Sequence, residues 1–113
     1  MKKKYYRLCY VNRKPQYVES YGTILTRQLS DSNTMVLAME CIKNQYNHRE
    51  WILTDVSTGL KAQNQVLKTH FDAINYISDP FILSILDAIT QQQFYKNYQK
   101  AMLDFLIENG EKL

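Results

Sequence analysis

Glycine and proline are nearly missing from this chain, which has three of the first and two of the second among 113 residues. Gly22, Gly59 and Gly110 stand apart from one another, which excludes a P-loop, a G-x-G-x-x-G turn and any other glycine-rich cradle for phosphate. With so few breakers there is no Pro- or Gly-rich linker, and residues 1–113 read as a single domain. Cysteine is equally sparse. Cys9 and Cys41 form no C-x-x-C pair, which points to reduced thiols and an intracellular, cytoplasmic setting. Long apolar runs are lacking as well, since none approaches the ~20 residues of a membrane-spanning helix. Lys2, Lys3 and Lys4 lead into tyrosines and Arg7, where a signal sequence would have an apolar core. No membrane association is expected.

Acid is the last scarcity, and it is local. Residues 1–27 contain one acid, Glu19, against seven basic residues: Lys2, Lys3, Lys4, Arg7, Arg13, Lys14 and Arg27. That segment carries +6, while residues 28–113, with seven basic and ten acidic residues, carry −3. The formal +3 of the chain hides this asymmetry. The same 27 positions hold five of the nine tyrosines. Elsewhere the composition is that of an ordinary globular protein, 45% hydrophobic and 22% charged, long enough for one hydrophobic core. Asn and Gln number 17 against five Ala. Together with abundant Lys, Ile and Tyr, this balance suggests AT-rich coding sequence and a low-GC bacterium, or a plasmid or phage within one.

The first third reads as β. Residues 4–11 alternate, with Tyr6, Leu8 and Tyr10 on one face and Tyr5, Arg7, Cys9 and Val11 on the other. The first set is the expected core face. Residues 12–15 suit a turn, because Asn12 tolerates turn geometry and Pro15 cannot donate to a ladder. A second run over residues 16–26 completes a hairpin with a basic tip, and Gly22 marks a bulge or bend within it. Residues 30–34 then offer several N-caps, and Met35, Ala38, Met39, Ile42 and Tyr46 recur at helical spacing, so a helix is expected to about Asn47. Residues 51–56 read as a third strand.

From Leu60 onward the period is helical. Leu60, Gln63, Val66, Leu67, His70, Phe71, Ile74 and Ile77 would share one side of a helix of about five turns. Ser78, Asp79 and Pro80 mark the next helix start. Ile82, Ile85, Leu86 and Ile89 form one stripe, and Tyr95, Tyr98, Met102, Phe105 and Leu106 form another on roughly the opposite side, so a break is expected at residues 91–93. Gly110 suits a C-terminal stop. The expected architecture is α+β: a small antiparallel sheet, from the N-terminal hairpin plus a strand near residues 51–56, packed with helices, and a helical C-terminal third.

Residues that carry chemistry are few. Cys9, Cys41, His48 and His70 match a zinc site in number but lack the close ligand pairs such sites use. His70 reads as a half-buried core histidine and His48 as a solvated loop residue. Neither cysteine sits in a nucleophile motif, and Asp72, Asp79, Asp87, Asp104, Glu108 and Glu111 are spread over helix surfaces without an evident acid–base pair. A non-enzymatic protein is therefore expected, with no cofactor, no metal and no small-molecule substrate.

Two functions follow from what remains. Basic residues interleaved with tyrosines suit nucleic acid, because cations pair with phosphates and rings stack on unpaired bases, which favours RNA over DNA. On that reading Arg7, Arg13, Lys14 and Arg27 contact phosphate, Tyr5 or Tyr17 stacks, and the protein is a regulator or accessory factor of a mobile element. The alternative is a small inhibitor or immunity-type factor. Phe81, Phe94, Leu103 and Ile107 fall outside the helical stripes, a surplus suited to a partner protein or a second copy of the chain.

Overall fold

Alternating side chains, two two-residue turns and a five-residue loop at residues 44–48 make the first half of the chain a continuous antiparallel meander. The structure, a computed structural model, describes residues 1–111. Strand β1 (Lys2–Val11) turns through Asn12 and Arg13, both in the left-handed region, into β2 (Lys14–Ser30). Strands β3 (Asn33–Lys43) and β4 (Arg49–Asp55) complete a sheet in the order β1-β2-β3-β4. Three helices follow: α1 (His70–Tyr76), α2 (Pro80–Thr90) and α3 (Gln93–Glu108). This is an α+β fold.

The helix expected over residues 34–47 is instead strand β3. Asp31 and Ser32 serve as the hairpin turn and not as helix caps, because the same short polar side chains satisfy both geometries. Met35, Leu37 and Met39 alternate inward, a pattern that the apolar Val36 and Ala38 between them, and Ile42 after them, obscure in the sequence. Strand β2 pairs with β1 from Lys14 to Thr23 and with β3 from Thr23 to Ser30, so the two ladders meet only at Thr23. The sheet bends there. At neighbouring Gly22 a Cβ would lie 2.8 Å from the Met39 carbonyl oxygen, a contact only glycine avoids. The curl brings β1 to the turn after β4, where the Leu8 N–H donates to the Gly59 carbonyl at 2.9 Å.

The long helix expected from Leu60 is also corrected. Residues 60–67 run extended along the outer edge of β4, bridging Thr54 with Lys61 and Trp51 with Leu67. Buried Gln63 acts as a strand residue in miniature: its Oε1 accepts from the Leu53 N–H and its Nε2 donates to the Trp51 carbonyl, both at 2.6 Å. These bonds satisfy edge groups that would otherwise be unpaired, and so outweigh the weak helical periodicity of the segment. Helix begins only at His70, after Thr69 caps the Asp72 N–H. His70 is exposed, its ring set edge-on to Trp51 at 5.1 Å, and not part of the core.

The helix pair lies where the sequence places it. Asp79 accepts from the Phe81 N–H, Pro80 opens α2, and the chain breaks at Gln91 and Gln92 before α3. Leu37, Leu53, Leu67 and Ile77 are fully buried among the sheet, the covering segment and α1. Each contributes about 1.5–3 kcal/mol relative to exposure.

Candidate functional site

The six hairpin residues expected to bind nucleic acid do not form one surface. Tyr5 is 3% exposed, its hydroxyl donating to Glu40 Oε1 at 2.6 Å beside the Ser20 hydroxyl, which donates to the same oxygen. Burial and this bond push its pKa up to about 12. It cannot stack on a base, which corrects the role expected for it. Tyr17 packs its ring on Phe105 of α3 at 4.8 Å and is half-buried, with its hydroxyl shifted up by desolvation. Arg7 is half-buried on the Tyr5 face, its Nε enclosed without a hydrogen-bond partner among the described residues. Arg27, far along β2, donates to the Thr26 carbonyl at 3.1 Å. Only Arg13 and Lys14, at the tip, are exposed.

The expected core face of β1 is likewise redistributed. Tyr6 and Leu8 are half-buried toward α3, Tyr6 meeting Phe105 edge-on at 5.0 Å, whereas Tyr10 at the far end is 72% exposed. Part of the N-terminal positive charge is met within the fold. Glu111 accepts from Lys4 at 2.9 Å and from the Tyr6 hydroxyl at 2.6 Å, and the two bonds hold its carboxyl below the ordinary carboxylate value.

A different surface is assembled around α2. A cavity of about 390 Å³ opens between the hairpin, the segment after β4 and the helix pair, with Leu8, Tyr10, Leu86, Ile89, Phe94 and Tyr98 among its walls. It shares Lys61, Ala62, Leu86 and Ile89 with a smaller depression of about 150 Å³ lined also by Ile82 and Ile85. That depression in turn shares Tyr76 and Ile82 with a third, whose walls include Asp72 and Asp79. The result is a trough along α2. Phe94, 47% exposed, and Ile85 stand in its walls, while Phe81, 68% exposed, lies one turn before Ile85 on the same helix side.

The polar groups under the trough are already engaged. Asp55 Oδ1 accepts from the Ser57 N–H and hydroxyl, and its Oδ2 from the Thr58 hydroxyl, each at 3.1 Å. Tyr95 is buried beside it with its hydroxyl 3.1 Å from that of Ser57, and desolvation, followed by the neighbouring Asp55 carboxylate, pushes it upward. These contacts hold the tight turn at residues 55–59 and leave no free acid–base couple in this cluster. Among the described residues, no three His, Cys, Asp or Glu side chains converge in a way that could hold a metal. No described helix is long and apolar enough to cross a membrane.

No family model, curated protein or solved structure matches this chain.

Sequence reasoning identified Phe81 and Phe94 as surplus apolar residues but missed the part played by Tyr10, Lys61 and Ala62. Strand alternation puts Tyr10 on the core face, and helical spacing puts Lys61 and Ala62 within a helix. The signal for them was Gln63, a polar residue within an apolar stripe.

Proposed function

We propose that this protein acts by binding a partner protein through the trough along α2, as a non-enzymatic accessory or inhibitory factor. The observation that carries this reading is the pairing of exposed Phe81, Ile85 and Phe94 with an adjoining concave apolar surface. Large apolar groups around a preformed cavity favour association, because a partner side chain in the cavity removes both surfaces from water. An RNA surface needs accessible rings beside accessible cations, and the two rings expected to stack, Tyr5 and Tyr17, are committed within the fold, while the exposed ring near Arg13 and Lys14 is Tyr10, in the trough wall. The scattered arrangement of the hairpin residues gives less support to that alternative.

The test is differential capture. Tagged wild-type protein and the Phe94→Asp variant, both checked for folding by circular dichroism, are exposed to extract of the native host, and bound protein and nucleic acid are analysed separately. A protein retained by the wild type and lost from the variant is the expected result. Salt-sensitive retention of RNA by both, with no protein that depends on Phe94, would overturn the reading.

A further inference from the structure

Resting on that reading, we propose that the trough receives an apolar segment of the partner protein whose acidic end lies against Lys61 and the hairpin tip. The apolar walls define the middle of such a segment, and the charges at the two ends of the trough define its polarity.

On the hairpin side Lys61 lines both the main cavity and the depression beside it, and so stands where the two meet. Arg13 and Lys14 cap the hairpin whose Tyr10 forms part of the cavity wall, and none of the three cations is in an ion pair among the described residues. The acid on this side, Asp55, is 3% exposed and its oxygens accept from Ser57 and Thr58. It offers little to an incoming cation. The opposite end differs in sign, with Asp72 and Asp79 both in the walls beside Ile82. Helix α2 has 11 residues and spans about 16 Å, so the two ends are far enough apart to be sensed separately by one bound segment.

An acidic group seated near Lys61 gains attraction there and avoids Asp72 and Asp79, so the trough selects both composition and direction. A uniformly anionic polymer such as RNA meets repulsion at the Asp72 and Asp79 end. The basic bias of the N-terminal segment thereby gains a use at its exposed tip, without an RNA surface.

The experiment is selection from a displayed library of random peptides of about 12 residues, long enough to run the length of α2. Wild-type protein is the bait, and two trough variants, Phe94→Asp and Ala62→Phe, each verified as folded, serve for counter-selection. Two variants guard against the loss of one to misfolding. The expected outcome is a group of trough-dependent peptides with aromatic or aliphatic anchors and Asp or Glu on one flank. Lys61→Glu should weaken these peptides about three- to tenfold and recover affinity for versions carrying Lys in place of the acid. Trough-dependent peptides with neutral or basic flanks, indifferent to Lys61→Glu, would overturn the charge assignment and leave the protein-binding reading standing. No trough-dependent peptide at all would overturn both. A concentration-dependent dimer abolished by Phe94→Asp would overturn the proposal by giving the trough to a second copy of the chain.

Discussion

Tyr6 and Glu111 are joined by a 2.6 Å hydrogen bond across 105 positions of sequence, tying the first strand to the residue just beyond the last helix turn. Lys4 joins the same carboxylate at 2.9 Å. Glu111 has its pKa lowered by these bonds to Tyr6 and Lys4, so its contribution to stability is complete above the ordinary carboxylate range and disappears as pH falls through the lowered value. Lys4 and Tyr6 are both shifted upward, chiefly by their bonds to Glu111. Their contributions are complete below their ordinary values of 10.5 and 10.0 and fade as pH rises through the raised ones. Glu111→Gln should therefore lower the denaturation midpoint near neutral pH, with the difference from wild type vanishing in acid. A difference that persists with all carboxyls protonated would show that the glutamine disturbs packing and not this charged clasp.

Gln63 yields the sharpest stability prediction. Its carboxamide satisfies one donor and one acceptor on the edge of β4, and it is 7% exposed. Replacing it with Leu keeps the bulk and strands the Leu53 N–H and the Trp51 carbonyl. At about 1–3 kcal/mol for each buried group left unpaired, Gln63→Leu should cost at least 2 kcal/mol or so in urea denaturation. Gln63→Glu keeps the acceptor and loses the donor, and should also destabilise. A Leu variant as stable as wild type would mean that water reaches those two groups.

The same residue explains why half of the fold was legible and half was not. The hairpin β1–β2, strand β4, the Asp79–Pro80 helix start and the break before Gln93 are written in local chemistry: alternation, a cap, a proline and two opposed stripes. Strand β3 and residues 60–67 are fixed by neighbours distant in sequence. Met35, Leu37 and Met39 face inward because β2 and β4 flank them, and Leu60 and Ala62 are extended because β4 supplies the bonding partners. Those partners override a weak helical period. The trough suffered for the same reason, since its walls come from β1, the segment after β4 and both C-terminal helices. Its helical side, the stripe Ile82, Ile85, Leu86 and Ile89 with Phe94, is legible in the sequence, and so is Phe81 beside it.

Gly59 holds the closure between β1 and the turn after β4. Its φ is +77°, and a Cβ there would come within 3.1 Å of the Leu8 nitrogen and 3.0 Å of the Met102 methyl. Gly59→Ala combines a left-handed backbone, worth about 1–2 kcal/mol for a residue with a Cβ, with crowding against backbone that cannot yield freely. The expected result is a lower denaturation midpoint and faster hydrogen exchange at Leu8, whose N–H bonds to the Gly59 carbonyl. Unchanged exchange at Leu8 would show that the sheet curls without this contact.

Tyr5 separates a buried strand tyrosine from a stacking platform. With its hydroxyl bonded to Glu40, Tyr5→Phe leaves that carboxylate with the Ser20 hydroxyl but without the phenol, and should cost about 1–3 kcal/mol of stability. The raised pKa adds an independent signature. Because the folded value, about 12, lies above the ordinary 10.0, the stability from this group is complete below the ordinary value and is lost as pH climbs through the folded one. Ultraviolet titration of the native protein should show a late-ionising group of tyrosines that includes Tyr5 and Tyr95, and Tyr5→Phe should remove one member of it, with Tyr95 resolved by its own variant. An exposed stacking ring would behave in the opposite way, ionising early and leaving stability unchanged when replaced. A Tyr5→Phe protein with wild-type stability and weakened single-strand binding would return the hairpin to nucleic-acid recognition.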